Sequence, residues 1–360
     1  MSESEEKSPK NVRLVSAPEV LQIECVGPRE KKKSLVAKVF TYLLVVIFIS
    51  SIVANFYMAM LLQTRFTTQF AGEVIEEGTD ESVVAVYEIS GTIGPEASAQ
   101  FGRFYRFLRD NENIKAVVLR VNSPGGTIPD SDRIYYMVRD IQEKLKRTVV
   151  VSQGNVAASG GYYVSAPAER IFAERSTITG SIGVIAIYPA FRGLTDKLGV
   201  EIITIRARQA YRWKARPEGV DMPDDRVLAD LQVMMDRFHT QFTEVVKTHR
   251  PDIVETSKTV EITNAVGEKE TIEEVNPYNG TIYRGTEALE LKLIDEIGSL
   301  EDAVSYAAES AGVKSPKVIR YYRPPTLMEA LGLPVTQIST GIQALENLTA
   351  PRILMMWKVD

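Results

Sequence analysis

The sequence predicts an α/β domain, a parallel or mixed sheet covered by helices, behind one apolar N-terminal helix. Two observations lead there. Apolar, β-branched runs alternate with amphipathic stretches from about residue 83 onward, the pattern of a sheet with helices packed on it. From Val39 to Thr64 there is no formally charged residue, and a helix of that length spans a hydrocarbon core about 30 Å thick.

The N-terminal elements follow from charge. Lys31, Lys32, Lys33 and Lys38 precede the apolar run, whereas Glu73, Glu76, Glu77, Asp80 and Glu81 come after it. By the positive-inside rule the tail is cytoplasmic and the bulk of the chain extracytoplasmic; the membrane expected is the plasma (inner) membrane. A cleaved signal peptide has the same charge order, but its apolar region is shorter, about 7–15 residues, and nearer the start. The expected divisions are a cytoplasmic tail (1–38), a transmembrane anchor (39–64), a linker (65–82), a folded domain (83–325) and a C-terminal extension (326–360). The tail opens with the polar run MSESEEKSPK, and VRLVSAPEVLQIECV within it has strand character without an assignable partner.

Within the domain, Val83–Ile89, Ala116–Val121, Thr148–Ser152, Ile182–Ile187 and Glu201–Ile205 read as strands. Gln100–Asp110, Asp130–Lys146, Tyr188–Leu198, Asp225–His249, Thr286–Leu291 and Leu300–Gly312 read as helices. Asp130 or Ser131 is the expected cap of the second, with Pro129 leading into it.

Composition narrows the chemistry. Apolar and charged fractions of 44% and 25% are those of a globular chain, and a net charge of −5 gives no electrostatic case for nucleic acid. Cys25 is the only cysteine, which rules out an intrachain disulfide and cysteine-rich zinc sites. No cofactor or metal is expected. His239 and His249 are the only histidines, both on one expected helix, and read as helix-surface residues rather than as a general base.

Two segments carry candidate chemistry. In AVVLRVNSPGGTIPDSDR a strand runs into Ser123-Pro124-Gly125-Gly126, where paired glycines let backbone amides face a pocket; taken alone, these residues read more readily as a plain strand-to-helix turn. In GNVAASGGYYVSAPAERIFAERSTITGSIGVI, Ser159 stands between Ala157-Ala158 and Gly160-Gly161 just before an expected helix. Small neighbours admit a substrate carbonyl, and a helix start offers N–H groups to an oxyanion; tight packing through small residues is the competing reading.

NSPGG, AASGGYYVSAPAERIFA, TGSIGVI and the later block IYRGTEALELKLIDEIG, in that order, closely resemble the signal peptide peptidase A family, over about Val83 to Val313. The resemblance implies the layered α/β spiral shared with Clp protease and crotonase, and a serine peptidase using a Ser–Lys dyad. It makes Ser159 the nucleophile and Ser181 the hydroxyl that holds the lysine. It places the oxyanion hole at Gly160 with Gly125 or Gly126. The base lysine falls after EIITIRA, where the family often has Gly-Lys-Tyr-Lys. Here the run is Gln209-Ala210-Tyr211-Arg212-Trp213-Lys214-Ala215. Lys214 fills the position, although the glycine is absent and the first lysine is arginine; Lys197 is the other nearby lysine. Arg212 does not release its proton. The resemblance further implies a homo-oligomeric ring, with serine and lysine from adjacent protomers, acting on remnant signal peptides at the membrane. A crotonase-like acyl-CoA enzyme is disfavoured by the SGGYY block. A catalytically disabled membrane scaffold of the same fold is the alternative that the altered lysine block keeps open.

Overall fold

The computed structural model describes residues 12–17, 20–25, 35–66, 70–187, 192–201, 207–210, 225–324 and 352–356. The chain divides into two compact units, Met1–Arg65 and Phe66–Asp360. In the first, β1 (Val12–Ala17) and β2 (Val20–Cys25) pair antiparallel, so the two halves of the unassigned N-terminal strand pattern are each other's partner. Helix α1 (Leu35–Phe66) follows. Its segment Lys38–Ala59 is long and apolar enough to cross a membrane, by length and composition. None of that segment is buried against the protein, the reverse of an ordinary core helix.

The second unit is built on a nine-stranded mixed sheet. Its first elements are β3 (Ala71–Glu76), β4 (Thr79–Ser90), α2 (Pro95–Arg109), β5 (Ile114–Ser123), the short β6 (Gly125–Thr127) and α3 (Ile128–Glu143). Next come β7 (Thr148–Ala158), α4 (Gly160–Ser165), β8 (Arg170–Ala173), β9 (Ile178–Gly180), β10 (Ile185–Ile187) and α5 (Arg192–Leu198). After them are α6 (Asp225–His249), β11 (Thr256–Thr263), β12 (Lys269–Asn276), β13 (Ile282–Arg284), α7 (Gly285–Glu290), β14 (Glu296–Ile297), α8 (Leu300–Ser310), β15 (Pro316–Tyr322) and β16 (Arg352–Met356). The sheet order is β13-β9-β7-β5-β4-β15-β3, with β8 also on β7 and β14 on β8. Strand β7 pairs parallel with β5 along one side. On its other side it meets β8 over Val150–Gln153 and then β9 over Val156–Ala158.

Both faces of the central strands are buried, which is why they read as continuous apolar runs rather than alternating ones. Val83, Ala85, Tyr87 and Ile89 of β4 join Val117, Leu119 and Val121 of β5 in one core, with Phe101, Phe104 and Leu108 of α2 and Ile134, Val138 and Ile141 of α3. The opposite face puts Val84, Val86, Ala116 and Val118 against Ala303, Val304, Ala307 and Ala308 of α8.

The elements differ from the sequence reading in several places. Helix α2 begins five residues before Gln100, because Pro95 supplies its first turn. Helix α3 starts at Ile128, ahead of Pro129, and its N-cap position is Thr127, not Asp130 or Ser131. Of the strand expected over Ile182–Ile187, only Ile185–Ile187 is laddered; Ile182 is instead fully buried in the core. Residues 188–191 and 202–206 lie outside the described residues, so the expected Tyr188–Leu198 helix is described from Arg192 and the Glu201–Ile205 strand is not described. Within the expected linker, Ala71–Glu76 forms an edge strand of the sheet, antiparallel to β15.

A second, smaller sheet takes in β6 and β10. Its three strands run β10-β16-β6, all antiparallel. Arg352–Met356, from the expected C-terminal extension, therefore lies between Ile185–Ile187 and Gly125–Thr127.

Candidate active site

Strand β7 ends in Ala157 and Ala158, both fully buried, and delivers Ser159 to the first turn of α4. Ser159 has φ 53° and ψ −115°, a conformation that costs of order 1–3 kcal/mol for a residue with a Cβ. Surrounding bonds enforce it. Its N–H donates to the Gly180 carbonyl at 2.8 Å, and its own carbonyl accepts from the Tyr163 N–H at 2.8 Å. The result is a sharp strand-to-helix elbow with the serine 1% exposed and its Oγ 3.5 Å from the Gly183 carbonyl oxygen. Gly161 is required by space: a Cβ there would sit 2.7 Å from the Ser123 carbonyl oxygen. The first amides of α4 lack carbonyls four residues earlier in the helix, the ordinary source of anion-stabilising N–H groups.

Two tyrosines lock the elbow from behind. Tyr162 Oη donates to the Leu293 carbonyl at 2.8 Å, and Tyr163 Oη donates to Asp132 Oδ1 at 2.7 Å. Gln241 Nε2 of α6 reaches both Asp132 and Tyr163. Burial pushes both phenols well above their ordinary value of 10, so they remain protonated donors and are unsuited to act as bases.

Facing Ser159's side of the sheet is β6. Gly125 has φ 102°; its N–H donates to Ser123 Oγ at 3.1 Å and its carbonyl accepts from the Ile93 N–H at 2.8 Å. Gly126 lies so close to the Ile93 backbone that an added Cβ would stand 1.9 Å from the Ile93 oxygen. Thr127 N–H then donates to the same Ile93 carbonyl at 2.9 Å. One edge of β6 is thus tied to the loop before α2. Its other edge pairs with β16, with Met356 opposite Gly125, Met355 opposite Gly126 and Leu354 opposite Thr127.

Ser181 directly follows Gly180, the residue that holds the Ser159 amide. It has φ 52°, donates its N–H to the Thr281 carbonyl at 2.8 Å and is 7% exposed. With Gly183, Ile185, His239 and Tyr278 it lines a groove of about 930 Å³. Neither histidine is a free surface residue. His239 Nε2 is 2.6 Å from the Tyr278 carbonyl, and His249 Nε2 is 3.0 Å from Tyr135 Oη; both are half-buried where α6 packs on the domain. The sequence reading placed them on the outer helix face, but that long amphipathic helix turns them inward. Lys214, with Tyr211, Arg212 and Trp213, lies outside the described residues. Lys197 is an exposed residue of α5. The structure therefore assembles Ser159, Gly160, Gly125, Gly126 and Ser181 around one elbow. Sequence reasoning missed the supports behind them, Ile93, Asp130 and Asp132, whose one visible signal was acidic residues opening α3.

The sheet with its helices, and a serine on a strained elbow before a helix start, fit the Clp-like α/β class of serine peptidases. Comparison with known proteins agrees. The Clp protease family model matches residues 82–180, and the model for peptidase family S49 matches residues 141–314. A putative protease of Synechocystis sp. is 34% identical over 238 residues, covering 65% of this chain and 76% of its own. A putative protease of Methanocaldococcus jannaschii is 31% identical over 291 residues, covering 79% and 86%. A putative signal peptide peptidase SppA of Enterococcus faecium is 29% identical over 266 residues, covering 71% of each chain. The chain belongs to peptidase family S49, with signal peptide peptidase SppA among its relatives.

Proposed function

We propose that this chain is a membrane-anchored serine endopeptidase using Ser159 as nucleophile and Lys214 as general base. The observation that carries the reading is the elbow at Ser159 beside an edge strand that takes up an extended segment. An extended peptide added antiparallel to Gly125–Thr127, as Arg352–Met356 is, lies along the nucleophile's side of the fold. Backbone ladders bind any sequence, which suits a peptidase for varied short peptides.

On this reading the Ser159 proton passes to the Lys214 amine as the Oγ–carbon bond forms. The carbonyl oxygen, now negative, is met by the Gly160 N–H and the Gly126 N–H. Gly126 is favoured over Gly125 because the Gly125 N–H is already engaged by Ser123 Oγ. Collapse of the adduct breaks the C–N bond, the lysine returns its proton to the leaving amine, and water then releases the acyl group from Ser159. A free lysine titrates near ~10.4, so the base must be desolvated to be neutral at pH 7. The Ser181 hydroxyl, at the rim of the groove, orients the lysine amine.

The substrates we assign are remnant signal peptides and other small apolar peptides at the membrane. Ile185 and Ile187, each 40% exposed at the groove, support an apolar binding surface. The Clp-like fold supports a homo-oligomeric ring; the resemblance to the signal peptide peptidase A family is what suggests serine and lysine from adjacent protomers of it. The apolar helix and its flanking charges support a single-pass chain with a cytoplasmic N-terminus and an extracytoplasmic domain. The test is hydrolysis of a fluorogenic apolar peptide by the full chain in lipid vesicles. Cleavage lost in both Ser159→Ala and Lys214→Ala supports the dyad. Full cleavage by Lys214→Ala removes that base, and no cleavage by the intact oligomer favours a scaffold.

A further inference from the structure

Asp130 is a carboxylate only 3% exposed, three residues past the Gly125-Gly126 pair's neighbour Thr127, and the dyad gives it no part. Three side chains donate to it. Oδ1 accepts from Ser98 Oγ at 2.6 Å and from Arg133 Nη1 at 3.0 Å, while Oδ2 accepts from Thr127 Oγ1 at 2.5 Å. A buried carboxylate is costly unless so satisfied, and the start of α3 adds a favourable dipole. Ordinary helix capping does not account for it. Thr127 occupies the N-cap position, yet its hydroxyl makes no capping bond to the helix backbone and donates to Asp130 instead.

The bonds close a ring around the glycine strand. Thr127 is tied through Asp130 to Ser98, on the first turn of α2. Two residues before that helix, Ile93 accepts from Thr127 N–H at 2.9 Å and donates to the Gly125 carbonyl at 2.8 Å. Gly126 sits inside this ring, without a side chain of its own to fix it.

We propose that Asp130 is a positioning residue for the reaction, clamping Gly125–Thr127 so that the Gly126 N–H is aimed at the carbonyl attacked by Ser159. The inference rests on the peptidase reading. Thr127→Val keeps the β-branched shape and deletes only the donor; Asp130→Asn removes the charge and leaves one acceptor oxygen. Because misplacing a catalytic group by about 1 Å can cost roughly a hundredfold, each variant should lower kcat about tenfold or more. KM should change less than kcat, about twofold at most, because a peptide adds to the edge of β6 that faces β16, whereas the clamp ties the edge that faces Ile93. Inhibition by a peptide aldehyde, whose adduct places an oxyanion in the same hole, should weaken in parallel with kcat. The double variant should be no slower than Asp130→Asn alone, because both cut one link.

The assay uses the full chain in vesicles, with thermal unfolding followed to confirm that each variant is folded at the assay temperature. Should Asp130→Asn fail to fold, Thr127→Val carries the test alone. Unchanged kcat in folded Thr127→Val, or a rise in KM alone, overturns the clamp. A parent chain that cleaves no peptide overturns the peptidase reading first and the clamp with it, an outcome distinct from the others.

Discussion

The two walls around Ser159 are built on opposite principles. The inner wall, Ala157, Ala158, Tyr162 and Tyr163, is fully buried, and its phenols are fixed to Leu293 and Asp132. The outer wall is a groove that Ser181 and Gly183 bring up to the serine, and several of its apolar residues are exposed: Ile185 and Ile187 by 40% and Ile272 by 38%. The inner wall fixes the position of Ser159 by packing that one chain supplies by itself. The outer wall presents surface that gains stability only when something lies on it, whether substrate, the chain's own β16 or a second copy. Placement of the serine is thus intrinsic to one chain, whereas recognition, and on the proposed ring the lysine, come from outside it.

Substitutions should separate the walls. The largest effect is expected between the walls, from Gly126→Ala on the glycine strand β6. Its Cβ would sit 1.9 Å from the Ile93 carbonyl oxygen, so β6 must shift, and kcat should fall about a hundredfold or more in a chain whose circular dichroism is unchanged. Near-normal turnover would mean that the strand has slack and that the glycine is not part of an oxyanion hole. At the outer rim, Ser181→Ala should reduce kcat about tenfold with KM little changed, if the hydroxyl orients the lysine. A change confined to KM would move Ser181 from the dyad to the binding surface.

A truncation ending at residue 351 sharpens the contrast further. Removing β16 vacates the edge between Gly125–Thr127 and Ile185–Ile187, so KM for an added peptide should drop several-fold while kcat is retained. An increased KM would show that β16 helps to build the site rather than occupying it.

The smallest expected effect lies one ring behind the inner wall, at His249, which packs on Tyr135, itself in contact with Tyr163. Burial, aided by the Arg139 guanidinium, holds the His249 pKa below its ordinary 6.5. The unfolded chain then binds the proton more readily than the folded one. The histidine's contribution to stability is present above about pH 6.5 and is lost as pH falls through the depressed folded value. His249→Gln should make the unfolding midpoint slightly less sensitive to pH below 6.5; an identical pH profile would remove His249 from the account.

How much of this was legible in the sequence follows from which interactions set each feature. Strands β4, β5 and β7 are visible as apolar runs because burial on both faces demands apolar residues at every position. The three-residue β9 and β13 are not, since their pairing is imposed by neighbours such as the end of β7 rather than by their own pattern. The hairpin β11–β12 was also passed over: charged residues interrupt its alternation, although Val260, Ile262 and Ile272 keep the period of two. At the site, the motif blocks singled out Ser159, Gly125 and Gly126, but the positive φ at Ser159 is fixed by Gly180 and Tyr163, distant or downstream in sequence. Asp130 was noticed only as a helix cap, because its bonds to Ser98 cross 32 residues of chain.

Acylation should fall on Ser159 Oγ. Mass spectrometry of peptides from the full chain in vesicles, after treatment with a peptidyl phosphonate, reads this out. One adduct is expected, on the peptide carrying Ser159, absent from Ser159→Ala and strongly slowed in Lys214→Ala. An adduct on another residue, or equal labelling of Ser159→Ala, would contradict it.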